Sequence, residues 1–113
     1  ALLARIKPTT SYDDLKGCDL VIEAVFESRD IKDDVTRKTE SAEPKLPVFA
    51  SNTSTLPISG LAKSFSRQQD FIGLHFFSPV DRMPLVEIIM GKETSQETLA
   101  RAMDYVAQIR KTP

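Results

Sequence analysis

Residues 19–27 read DLVIEAVFE, and within them LVIEAV at 20–25 is almost wholly apolar. A short apolar run without polar alternation fits a strand covered on both faces, as in a parallel sheet. A polar turn, Lys16, Gly17 and Cys18, precedes it. After it, residues 31–42 (IKDDVTRKTESA) read as a helix whose apolar stripe is thin: Ile31, Val35 and Ala42. Pro44 and Pro47 end that helix, and VFAS at 48–51 forms the next strand. Ser54 and Thr55 can cap a short helix carrying Pro57 in its first turn, where a missing N–H costs nothing. FIGLH at 71–75 and LVEIIM at 85–90 are two further strands. Thr94 with Glu97 forms a capping-box pattern, and Leu99, Ala102, Met103, Val106 and Ile109 share one face of the helix that follows. Strands alternating with helices in this way have the rhythm of an open α/β sheet.

Composition narrows the class. A chain of 113 residues, 41% hydrophobic, is one domain or part of one. Fifteen basic residues against sixteen acidic ones leave a net charge of −1 with no long basic run, which argues against a nucleic-acid partner. The apolar runs fall far short of the roughly 20 residues that a membrane span needs, and ALLARIKPTT at the start turns polar too soon for a signal peptide. Cys18 stands alone, so neither an internal disulfide nor a cysteine-based metal site is expected. The reading is a cytoplasmic globular chain without a metal.

In open α/β sheets, ligands gather at the carboxyl ends of the strands. Glu27, Ser54 and His75 all end or follow predicted strands. His75 is the one histidine, set in GLHFFSPVDRMPLVE at 73–87. A neutral imidazole is the commonest general base near neutral pH, and a neighbouring carboxylate fixes its tautomer and stabilises the imidazolium that forms. The last strand sends Val86 and Ile88 to one face and Glu87 to the other, so a chain that turns back brings Glu87 toward His75. Plainer readings stand beside this one. His75, next to Phe76 and Phe77, is by default a packed histidine; Ser54 is by default a helix cap; Glu27 and Lys32 are equally solvated charges at a strand-to-helix turn. Asp33, Asp34, Arg37, Lys38 and Glu40 form the exposed face of a surface helix.

Three motifs in order, DLVIEAVFE at 19–27, SNTSTLPI at 51–58 and FIGLHFFSPVDRMPLVEII at 71–89, resemble the L-3-hydroxyacyl-CoA dehydrogenase family. The resemblance is nearest to the dehydrogenase part of the alpha subunit of bacterial fatty-acid oxidation complexes. It implies a Rossmann-like dinucleotide-binding fold and the oxidation of a 3-hydroxyacyl-CoA to a 3-ketoacyl-CoA, with hydride passing to NAD. By position, it makes His75 the base that takes the 3-hydroxyl proton and Glu87 its carboxylate partner. Ser54 becomes the hydroxyl touching the substrate oxygen beside the nicotinamide. Asn52 shapes the same loop, and Glu27 and Lys32 stand near the cofactor's ribose and nicotinamide end. Ser78 occupies a position where many relatives carry asparagine. A thiolase subunit is the partner that such a complex implies.

The resemblance also sets expectations about extent. No GxGxxG occurs, and Gly17, Gly60, Gly73 and Gly91 are too dispersed to cradle a pyrophosphate. The family's first βαβ unit would lie before Ala1 and its helical domain after Pro113. Residues 1–113 are therefore expected to be the C-terminal half of the NAD-binding domain, a partial, mostly parallel sheet that is inactive alone. Without its first strand, the sheet would present residues 20–25 as an apolar edge with Glu23 as the only charged gatekeeper, and the fragment should self-associate. Two other functions remain open: a non-catalytic binding or structural module, and another NAD-dependent 3-hydroxyacid dehydrogenase, a class that usually relies on a lysine base.

Overall fold

Four strands build one sheet in the order of the chain. In the computed structural model, which describes residues 2–113 with side chains from Ala4 onward, they are β1 (Leu20–Glu23), β2 (Val48–Ser51), β3 (Phe71–Phe76) and β4 (Val86–Ile89). The first three run parallel and β4 is antiparallel to β3. The sheet is the expected mostly parallel one. Helices α1 (Arg29–Ala42) and α2 (Ile58–Leu61) lie in the β1–β2 and β2–β3 connections, and α3 (Gln96–Gln108) follows β4.

Alternation along β2 and β3 gives the sheet two apolar faces. Phe49 and Phe71 point to one side, where Ile58, Leu61, Ala62 and Phe65 cover them. Val48, Ala50, Ile72 and Leu74 point to the other, against Val86 of β4 and Ala102 and Val106 of α3. Both faces are thus dry, which is why β2 and β3 read as apolar runs instead of alternating ones. Phe49, Phe65 and Phe71 pack as a trio, with the Phe49 and Phe71 rings stacked at 5.3 Å. Each fully buried phenylalanine contributes about 1.5–3 kcal/mol from apolar area removed from water.

Several boundaries differ from the sequence reading, each for a local reason. β1 stops at Glu23, two residues early, because the Glu23 carboxylate accepts the Val25 N–H at 2.7 Å and turns the chain out of the ladder. Helix α1 begins at Arg29 and buries Lys32, Thr36 and Thr39, while Ile31 stays 43% exposed. Lys32 on that inward face meets the Glu23 carboxylate at the end of β1, and Thr36 returns its hydroxyl to the Lys32 carbonyl. The cap of α3 is Ser95, whose Oγ accepts the Thr98 N–H at 3.1 Å. Thr94 instead donates to the Phe71 carbonyl at 2.8 Å, and Glu97 pairs with Arg101. Met103, expected in the buried stripe, faces solvent, and Thr98, which was not, is buried there with Ala102 and Val106. Pro57 is the residue before α2, and no side chain caps that helix; Thr53 Oγ1 accepts the Leu56 N–H at 3.2 Å in the turn leading to it.

Candidate active site

The parallel strands β1, β2 and β3 end on one side of the sheet, and antiparallel β4 begins there. Register decides what meets at that end. His75 of β3 lies directly opposite Glu87 of β4, and the His75 Nδ1 to Glu87 Oε1 distance is 3.6 Å. Opposed residues in an antiparallel pair have side chains on the same face, so the contact is a consequence of the pairing itself. The loop expected to fold Glu87 back onto the imidazole therefore exists. The His75 ring tilts against Phe77 with centroids 4.6 Å apart, and its Nδ1 is buried without a hydrogen-bond partner. Glu87 is the one anion beside it among the described residues, just beyond hydrogen-bond reach, and its side chain is largely exposed. A buried ring nitrogen facing a carboxylate can hold a proton toward it, which leaves Nε2 to exchange a proton with a ligand.

A second cluster forms where the loops after β1 and β2 meet. Glu27 Oε2 accepts hydrogen bonds from Thr53 Oγ1 at 2.8 Å and Thr55 Oγ1 at 2.7 Å, so two hydroxyls flanking Ser54 hold this carboxylate. Partial burial pushes the Glu27 carboxyl up, but the Thr55 and Thr53 hydroxyls and the Lys32 charge outweigh it and hold the group below its ordinary value. Lys32 is not a solvated charge: its side chain is 1% exposed. Its Nζ donates to Glu23 Oε1 at 2.7 Å and to the carbonyls of Val25 and Asn52 at 3.3 and 3.4 Å, with Glu27 Oε1 at 3.5 Å. Asn52 joins the two clusters, because its Oδ1 accepts the N–H of Phe76, the residue after His75, at 3.1 Å.

The structure thus unites His75 with Glu87, and Glu27 with Lys32 and the 52–55 loop. Ser54 is exposed between the two threonines that bind Glu27, and Ser78 is exposed in the turn after β3. Among the described residues no hydrogen bond ties either hydroxyl to the other site residues. Glu23, Thr53 and Thr55 escaped the sequence reading as site residues. For Glu23 the signal was present: a carboxylate inside a run meant to be dry on both faces requires a buried cation, and Lys32 follows nine residues later, in the first turn of α1.

An open α/β sheet with a histidine–carboxylate pair and a second ionic cluster at the carboxyl ends of its strands is an architecture that nucleotide-dependent oxidoreductases use. The chain belongs to the family described as "3-hydroxyacyl-CoA dehydrogenase, NAD binding domain", which it matches over residues 1–113. It is 49% identical over 111 residues to a fatty acid oxidation complex subunit alpha from Acinetobacter baylyi, covering 98% of this chain and 16% of that protein. The structure of (S)-3-hydroxybutyryl-CoA dehydrogenase PaaH1 from Ralstonia eutropha superposes with a TM-score of 0.94 at 46% identity, covering 98% of this chain and 39% of the other. The dehydrogenase part of multifunctional enzyme 1 from C. elegans gives 0.92 at 31%, covering 99% and 26%. The chain therefore spans well under half the length of these relatives.

The residues present fit one end of NAD. The Glu27 carboxylate, fixed by two hydroxyls, has the chemistry to accept from hydroxyl donors such as those of a ribose, and the exposed Ser54 and Thr55 hydroxyls lie in the adjacent loop, at the strand ends of the sheet. A glycine-rich pyrophosphate cradle is not found among the described residues: Gly17 is the one glycine there with a positive φ, at 85°, and it precedes β1.

Proposed function

We propose that the protein carrying this chain oxidises L-3-hydroxyacyl-CoA to 3-ketoacyl-CoA with NAD, in the β-oxidation of fatty acids. The observation that carries the reading is the register pairing of His75 with Glu87, at 3.6 Å, at the ligand-binding end of a sheet. NAD, when bound, accepts the hydride that leaves C3 of the substrate. His75 Nε2 takes the proton of the 3-hydroxyl, and Glu87, facing Nδ1, orients the ring and stabilises the imidazolium. Phe77, tilted on the ring, limits its rotation and shields it from water. Ser54 offers its hydroxyl to the substrate oxygen, Glu27 accepts from the ribose, Lys32 and Asn52 hold the loops that carry them, and Ser78 adds a polar contact at the rim.

The name of the Acinetobacter relative supports a place for this protein as an alpha subunit in a fatty-acid oxidation complex, and we propose a thiolase as the second subunit. No helix among the described residues is long and apolar enough to cross a membrane, and we assign the reaction to the cytoplasm. The test is turnover by the intact protein, followed as NADH formation from 3-hydroxyacyl-CoA substrates. Oxidation that depends on His75 is expected. A protein that binds NAD yet reduces none with any 3-hydroxyacyl-CoA overturns the reading.

A further inference from the structure

Among the residues with almost no exposure, Lys32 is the largest, and its partner Glu23 is as deeply buried. Glu23 uses both oxygens. Oε1 accepts from Lys32 Nζ and from the Val25 N–H, each at 2.7 Å, and Oε2 accepts from Ser51 Oγ at 2.6 Å. A buried ion pair is weak evidence for stability, since apolar residues of similar volume often do as well in its place. Its position in the fold is more telling. The ammonium reaches the loop after β1 through the Val25 carbonyl, the loop after β2 through the Asn52 carbonyl, and the cleft through Glu27 at 3.5 Å. Two carboxylates thus compete for one ammonium, and Glu23 has the shorter contact. With Glu23 charged, Lys32 is neutralised from below, and Glu27 keeps its negative charge toward the cleft, oriented by Thr53 and Thr55. Without it, Glu27 is the only anion left in reach of Lys32 and is drawn inward, away from those hydroxyls.

We infer that Glu23 is a positioning residue for the cofactor: by holding Lys32 it leaves the Glu27 carboxylate fixed and free to accept from the ribose hydroxyls of NAD. This rests on the NAD chemistry proposed above. Glu23 touches no ligand itself and acts through Lys32 and Glu27.

Glu23→Gln, Lys32→Met and the double variant, made in the intact protein, provide the test. Glu23→Gln keeps the shape and removes the charge. It should weaken NAD binding about tenfold by titration calorimetry, the scale of one coupled pair. The KM for NAD should rise by the same factor while kcat at saturating NAD falls by less than about threefold, because the loss is in binding. Since Glu23 acts through Lys32, the double variant should bind NAD no more weakly than Lys32→Met alone. Wild-type NAD affinity in a folded Glu23→Gln protein, or losses that simply add in the double variant, overturns the inference. If Glu23→Gln does not fold, the double variant decides, because it leaves no buried charge alone. NAD affinity equal to that of Lys32→Met supports the role, and affinity clearly below it refutes it. A wild-type protein that binds no NAD removes the functional reading and this inference together, and that control is independent of the variants.

Discussion

His75 carries two separate commitments, one to the sheet and one to the cleft. Its backbone is fixed by the pairing of β3 with β4, so truncating the imidazole leaves the register and the opposed Glu87 in place. His75→Ala in the intact protein should therefore lower kcat by roughly 10²–10⁴, the usual worth of a positioned base, with NAD affinity close to wild type. Glu87→Gln should lower kcat in the same sense but by less, because the base remains and only its orienting charge is gone. Steady-state kinetics checks both, and near-normal turnover by His75→Ala removes the proposed mechanism. Glu27 makes a different prediction. Its carboxyl is held below the ordinary glutamate value of 4.5, despite the upward push of burial, by the hydroxyls of Thr55 and Thr53 and by Lys32. A depressed carboxyl contributes order that is fully present above its ordinary value and is lost as the pH falls through the lower, folded value. Below about pH 4.5, then, the 53–55 loop should loosen, visible as faster exchange of the Leu56 amide that donates to Thr53. Glu27→Gln should lose that acid dependence, and an unchanged acid profile in the variant would assign it to another group.

At the scale of elements, Ile58 of α2 packs closely on β3 and β4 at Gly73. A Cβ built on Gly73 would lie 2.7 Å from Ile58 Cδ1, 2.9 Å from Ile58 Cγ1 and 3.0 Å from Ile89 Cβ. Gly73→Ala should destabilise by about 1–3 kcal/mol, the range for overpacking a close-packed site. Denaturant unfolding should also show that Ile58→Val, which removes the nearest methyl, recovers part of the loss in the double variant. The same elements show how much of the architecture could be read beforehand. Strand identities and the parallel order were legible because apolar runs at 20–25, 48–51 and 71–75 admit few other environments. The His75–Glu87 meeting was legible only as a possibility, since period two places Glu87 on a face but the register that sets it opposite His75 is a tertiary fact. The inward face of α1 was misread. A search for an apolar stripe selects Ile31, Val35 and Ala42, whereas the helix buries Lys32, Thr36 and Thr39; Lys32 pairs with Glu23, and the Thr36 hydroxyl returns to the Lys32 carbonyl. Caps shifted by one residue for a related reason: Thr94 was recruited by the Phe71 carbonyl, so Ser95 took its place.

On the scale of the whole chain, β1 is an outer strand of the sheet, paired only with β2 among the described residues. Its one interior charge does not guard that edge. Glu23 is 3% exposed and bound to Lys32, so the gatekeeping expected of it is absent, and only the flanking exposed Asp19 supplies charge there. Leu20, Val21 and Ile22 are each half-buried, packed inward against both apolar clusters, and the outward backbone groups of the strand have no partner strand on that side. Such an edge is a template for a further strand. About a two-fold axis, two copies of β1 would meet antiparallel, each offering its N–H and C=O groups to the other. Residues 1–113 prepared alone should therefore self-associate in a concentration-dependent way through β1. Screened surface charge does little to oppose it, because the net charge is only −1. Sedimentation over a range of concentrations, read together with hydrogen exchange, separates the outcomes. Association with protection of the Leu20–Glu23 amides beyond what β2 provides identifies the edge as the contact. A clean monomer at high concentration, with the outward amides of β1 exchanging freely, would mean that the short length of this strand is itself enough to blunt it.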